Sequence, residues 1–200
     1  MALRQTSRTV PAAAVALLVL AGAFAGGMAY AHKGPKTFSE LSNSGCSLLA
    51  GDARSTLDSL VPEAHAFAVS EDQARGGDHG THVDKGLDSR CRVLADGRTA
   101  VTAEATDRTT YADFADWETR NTRRIGKSGR ERLHAFGGGY STPTTAALYV
   151  PCKAKDPGSE PRTLSVLVTR APALNDAPRS PMVTLAEKAA RQAQTVSYCT

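Results

Sequence analysis

The chain has 200 residues and a formal charge of +4, with 24 basic against 20 acidic side chains. Two of the basic residues, Arg4 and Arg8, stand at the very start, so the body carries 22 against 20 and offers no electrostatic case for nucleic-acid binding. Only 6% of residues are aromatic and much of the apolar content is alanine, which excludes a large aromatic core and predicts one built from small aliphatics.

From Thr9 to Ala31 the chain carries no charge. These 23 residues, with Arg4 and Arg8 before them, read as an export signal or a signal anchor, a hydrophobic helix long enough to span a hydrocarbon layer of about 30 Å. Ala29-Tyr30-Ala31 offers a signal-peptidase pattern that would be cut before His32. Pro11, Gly22, Gly26 and Gly27 divide the run and leave a compact apolar heart from Ala12 to Ala21. Cleavage with secretion and retention as a single membrane span are both open. Either places the body outside the cytoplasm.

Residues 32–45 read as a polar, extended linker. Leu49, Ala53, Leu57 and Leu60 recur at helical spacing after Cys46, and Pro62 stops the helix. Residues 64–69 read as a first short strand, and 71–89, rich in Gly and charge, as a flexible surface loop. Cys91, Val93 and Ala95 alternate, as do Val101, Ala103 and Ala105, with Asp96-Gly97 between them. That is the signature of a hairpin closed by a type I′ turn.

A second helix is expected over 111–124. Tyr111, Phe114, Trp117 and Asn121 share one face, acids stand early and arginines late, and Gly126 and Gly129 close it. Trp117 is read as a packing residue. Strands follow at 146–150 and 164–168. A last helix starts at Ser180-Pro181, has Thr184 and Glu187 at capping-box spacing, and lines one face with Met182, Leu185, Ala189, Ala193 and Val196. The fold class expected is α+β: an antiparallel sheet of about five strands with helices packed on one face, preceded by an N-terminal hydrophobic helix. The domain plan is 1–31 leader, 32–45 linker and 46–200 extracytoplasmic domain.

Cys46, Cys91, Cys152 and Cys199 allow three disulfide pairings. The intervals from Cys46 to Cys91 and from Cys152 to Cys199 are similar, and sequential pairing would tie one helix to the sheet in each half. The cysteines lack the close C-x₂-C pairs of a structural zinc site.

The pattern resembles a group of uncharacterised actinobacterial cell-envelope proteins. The matching features are Cys46-Ser-Leu-Leu-Ala before a short helix, Cys91 in a strand followed by Asp96-Gly97, a tryptophan after the hairpin, Val150-Pro151-Cys152, and a C-terminal helix ending at Cys199. The resemblance implies an envelope location, as a lipoprotein or single-span membrane protein, and supplies no catalytic residues. Asn43-Ser44-Gly45 lacks the aliphatic residue a lipidation signal wants before Cys46.

His79 and His82, flanked by Asp78 and Asp84, have a spacing that suits metal ligation, but the glycine-rich loop gives them no rigid face. A solvated loop is preferred. Gly137-Gly138-Gly139-Tyr140-Ser141-Thr142 lacks a phosphate-loop motif and is read as flexible linkage. Neither G-x-S-x-G nor H-E-x-x-H occurs, and the sequence cannot say whether His65 and His134 meet carboxylates in space. Arg120, Arg123, Arg124, Lys127, Arg130 and Arg132 form a basic run, read as a solvated helix end with the loop after it, with contact to anionic lipid or wall polymer as the sharper alternative. No catalytic residue, metal or cofactor is assigned. The expected role is a non-catalytic extracytoplasmic binding or accessory module, its partners the membrane through the leader and an envelope protein or wall polymer. A secreted hydrolase with an unrecognised site is the alternative.

Overall fold

A computed structural model describes residues 34–41, 46–73, 87–108, 111–127, 129–152, 162–172, 179–197 and 199. The chain divides into two compact units, Met1–Pro35 and Lys36–Thr200. The expected hydrophobic leader helix lies outside the described residues. Among those described, no helix is long and apolar enough to cross a membrane.

The second unit is α+β, with one seven-stranded sheet in which every neighbouring pair is antiparallel. The strands are β1 (Phe67–Gln73), β2 (Asp88–Ala95), β3 (Arg98–Arg108), β4 (Glu131–Leu133), β5 (Gly139–Ser141), β6 (Thr145–Pro151) and β7 (Thr163–Arg170). The helices are α1 (Phe38–Leu41), α2 (Ala53–Asp58), α3 (Phe114–Ile125) and α4 (Arg179–Ser197), with a 3₁₀ turn at Ser47–Leu49. The spatial order β1-β2-β3-β7-β6-β5-β4 comes from two meanders. The chain builds β1 to β3, crosses by α3 to the far edge, then walks back through β4, β5 and β6 until β7 pairs with β3.

The β2–β3 turn forms as expected: Asp96 and Gly97 have φ of 46° and 76°, both in the left-handed region that a type I′ turn needs. Beside it the register shifts between Val93 and Leu94, a bulge in the β2–β3 pair. In α3 the Asp113 carboxylate accepts the Asp116 N–H at 2.9 Å, which caps the N-terminus. At the other end the Gly126 N–H donates to Thr122 O.

Alternation along the strands sorts their side chains onto two faces. One face carries Val93, Val101, Ala103, Ala105, Leu148, Val150, Val166 and Val168, all fully buried. Over it lie the 3₁₀ turn, α2 and α4, whose Met182, Leu185, Ala186, Ala189, Ala190 and Ala193 are inaccessible. The alanine seam lets α4 lie close to a sheet that is itself rich in alanine and valine. The opposite face carries Tyr140, Ala147, Tyr149, Ser165 and Leu167 and is covered by α3 through Trp117 and Ile125.

Several expectations need correction. The sheet has seven strands where about five were expected. β4 and β5 are three residues each, too short to show alternation, and β5 opens on the glycine run read as linkage. The helices do not share one face, because α3 packs opposite α4. The helix expected after Cys46 is broken into the 3₁₀ turn and α2, with Gly51 at φ 66° between them. α1 interrupts the supposedly extended linker. β1 starts three residues later than expected and runs on to Gln73, into the stretch read as loop. α4 begins at Arg179, so Thr184 and Glu187 lie inside the helix, and in its last turn Ser197 is the buried residue while Val196 is 38% exposed.

Candidate functional site

Cys46 is bonded to Cys91 and Cys152 to Cys199, with Cα separations of 5.9 and 4.9 Å. The first bridge ties the residue before the 3₁₀ turn to β2, and the second ties the residue after β6 to Cys199, just past the end of α4. Such covalent ties are characteristic of an oxidising compartment. Beside the first bridge, Glu71 accepts hydrogen bonds from Ser47 N–H at 3.2 Å, from Ser89 Oγ at 3.2 Å and from Ser47 Oγ. The Cys46 and Cys91 sulfurs and the Glu71 carboxylate lie within 4.8 Å of one another. Bonded to each other, these sulfurs have no thiolate to offer a metal.

The chemistry-bearing cluster of the molecule lies where α3 meets β4, β5 and β6. Trp117 is fully buried, and its indole N–H donates to Ser165 Oγ at 2.8 Å. The Phe114 ring centre is 5.4 Å from Trp117, 5.9 Å from Tyr140 and 5.8 Å from Tyr149. Arginines from the basic run stack on these rings: Arg130 lies 4.3 Å over Tyr140, Arg132 4.7 Å over Phe114 and Arg120 5.7 Å over Tyr111. Each such contact contributes about 0.5–1 kcal/mol at an exposed site. For Arg132, which has no ion-pair partner among the described residues, the Phe114 ring also fixes the plane of the guanidinium.

Carboxylates neutralise part of this charge. Arg130 pairs with Glu118 at 2.7 Å, Arg120 with Asp116 at 2.8 Å, and Arg124 with Glu104. The Arg120 hydrogen bond holds the Asp116 carboxyl below its usual range. Burial, and then a hydrogen bond to Glu118, push the Tyr140 phenol above its usual range. Nη1 of Arg130 is buried without a hydrogen-bond partner, and the π face of Tyr140 is the attraction that the guanidinium has in its place. Glu118, Thr119, Thr122, Lys127 and Arg130 line an open cleft of about 500 Å³. Among the described residues no carboxylate pairs with Arg123, Lys127 or Arg132. Of these three, Arg132 is also held in plane by the Phe114 ring, an arrangement that suits contact with an anion.

Of the residues singled out from sequence, His79 and His82 lie outside the described residues. His65 and His134 are both exposed and sit at opposite edges of the sheet, beside β1 and at the end of β4. Trp117 is a packing residue, as expected. The basic run is only partly a solvated helix end, since Arg130 and Arg132 flank and enter a strand and lie on aromatic rings. The glycine run is no linker. A Cβ on Gly137 would meet Tyr149 at 2.6 Å, one on Gly138 would meet Phe114 at 2.9 Å, and one on Gly139 would strike the Ala147 carbonyl. The available signal was the run of three glycines directly before Tyr140, since glycine at a strand marks close approach of another backbone or side chain. No family model matches the chain, and neither a curated protein nor a solved structure matches it.

Proposed function

We propose that this chain is an extracytoplasmic binding or accessory module, carried across a membrane by residues 9–31 and then either tethered by them or released near Ala31. The observation that carries this reading is the pair of disulfides, each closing a long stretch of the fold, 45 residues in one and 47 in the other. The charge-free leader agrees with it, and so does the resemblance to actinobacterial envelope proteins. The contact surface is the face of α3 and β4, where the exposed Arg123, Lys127 and Arg132, unpaired with any carboxylate among the described residues, suit an anionic partner.

Thiol labelling and N-terminal sequencing of the chain taken from its native cells test the reading. All four cysteines should resist a thiol reagent until reduced, and intact cells treated with an external protease should lose the body. An N-terminus at His32 identifies the released form, and one at or near Met1 the tethered form. Free thiols, or a body protected inside intact cells, would overturn the proposal.

A further inference from the structure

The turn between β4 and β5 carries a feature that folding alone does not favour. Phe136 has φ of 57°, in the left-handed region that a bulky side chain avoids. Apart from Asp96, whose residue type is at home in a tight turn, it is the only non-glycine with positive φ among the described residues. It is also 38% exposed, and Val196 is the only other large hydrophobic left so open among them.

The conformation is held from three sides. Gly137 N–H donates to Tyr149 O at 3.0 Å, Gly138 N–H to Ala135 O at 3.0 Å, and Tyr149 N–H to Gly138 O at 2.9 Å. Gly137 and Gly138 are wedged against Tyr149 and Phe114, so the turn cannot relax. A glycine or asparagine at 136 would satisfy the same backbone without strain and without exposing a ring.

The surroundings select the partner. Arg132 is exposed, stacked on Phe114, and has no carboxylate partner among the described residues. His134 is exposed as well. From Arg132 to Lys155 the sequence holds no Asp or Glu, and Glu131 is already paired with Arg179. A rigid tip with one apolar ring, a nearby arginine and no unpaired carboxylate suits a bilayer interface with anionic headgroups. A sugar surface would call for carboxylates or amides to bond its hydroxyls.

We infer that the β4–β5 turn docks on an anionic lipid surface, with Phe136 entering the headgroup–acyl boundary and Arg132 meeting lipid phosphate. This rests on the extracytoplasmic reading and names one partner for the surface described there. The test uses the full chain with Phe136→Trp, reconstituted in nanodiscs of phosphatidylglycerol or of phosphatidylcholine. The native Trp117 is buried and supplies a constant background. In phosphatidylglycerol the emission from position 136 should shift to the blue and be quenched several-fold by brominated acyl chains. In phosphatidylcholine, or with Arg132→Glu added, both effects should be lost, and inorganic phosphate in solution should leave them unchanged. Phe136→Asn should keep or raise the thermal midpoint. Equal behaviour in both lipids, no quenching in either, reversal by free phosphate, or a lower midpoint for Phe136→Asn would each overturn the inference. A chain found outside the cell with paired cysteines but without quenching would sink this inference alone, and leave the extracytoplasmic reading standing.

Discussion

Trp117 and Tyr140 show how single residues hold the cluster together. Trp117 is wholly buried, and its one polar atom is satisfied by Ser165 across 48 residues of sequence. Trp117→Phe removes that bond, leaves Ser165 without its donor and opens a small void, so stability should fall by about 1–3 kcal/mol in chemical denaturation. Tyr140 makes a prediction about pH. Its neutral phenol is favoured by burial and by Glu118, so its folded ionisation lies above the ordinary value near 10.0. The stabilisation is complete below that ordinary value. Once pH exceeds it the unfolded chain ionises first, and the advantage drains away until the folded phenol ionises too. Tyr140→Phe should therefore lose less stability than the parent as pH rises above about 10, measured by denaturant titration at successive pH values. An alkaline limb of equal steepness in both chains would show that Tyr140 contributes nothing to it.

At the level of elements, what could be read in advance followed from how much each segment says about itself. The β2–β3 hairpin was legible because its alternation runs along both strands and its turn residues have one conformational reason to be there. α3 was legible because its acids, apolar positions and arginines are each ordered along the helix. β4 and β5 were not, since a three-residue strand offers one side chain or two to a given face. Their existence depends on β6, which supplies the partner edge. The face on which α3 packs was also hidden: amphipathicity says that a helix buries one side, not which side of the sheet receives it. The glycine run illustrates the point with a test. Gly139 pairs with Leu148, and a Cβ there would strike the Ala147 carbonyl. Gly139→Val should separate β5 from β6 and release β4, the edge strand beyond it. Amide exchange in residues 131–141 should accelerate by orders of magnitude, while exchange in β2 and β3 stays slow. Uniform protection across the sheet would mean that the glycine is dispensable.

For the molecule as a whole, the placement of the two bridges matters more than their number. The sheet is one continuous ladder, but its two meanders meet only where β3 pairs with β7. Each bridge works within one half. Cys46–Cys91 holds the 3₁₀ turn and the chain leading to α2 onto β2. Cys152–Cys199 pins the C-terminal end of α4 to the end of β6, so the helix that covers both halves cannot fray from that end. In the chain-entropy view a loop of 45 or 47 residues restricts the unfolded state by roughly 4 kcal/mol. That is a large share of the 5–15 kcal/mol typical of a domain, and the core here draws heavily on alanine and valine. The bridges should also differ in what their loss releases. Replacing Cys152 and Cys199 by alanine frees α4 and exposes the alanine seam, so it should lower stability by about 3–4 kcal/mol and raise binding of a hydrophobic dye. Replacing Cys46 and Cys91 should cost a comparable amount, yet leave α4 seated on β6 and β7, with faster amide exchange confined to residues 46–60 and β1. If both double variants unfold in the same denaturant range with the same exchange pattern, the bridges act only on the unfolded chain, and the division of labour drawn from their placement is wrong.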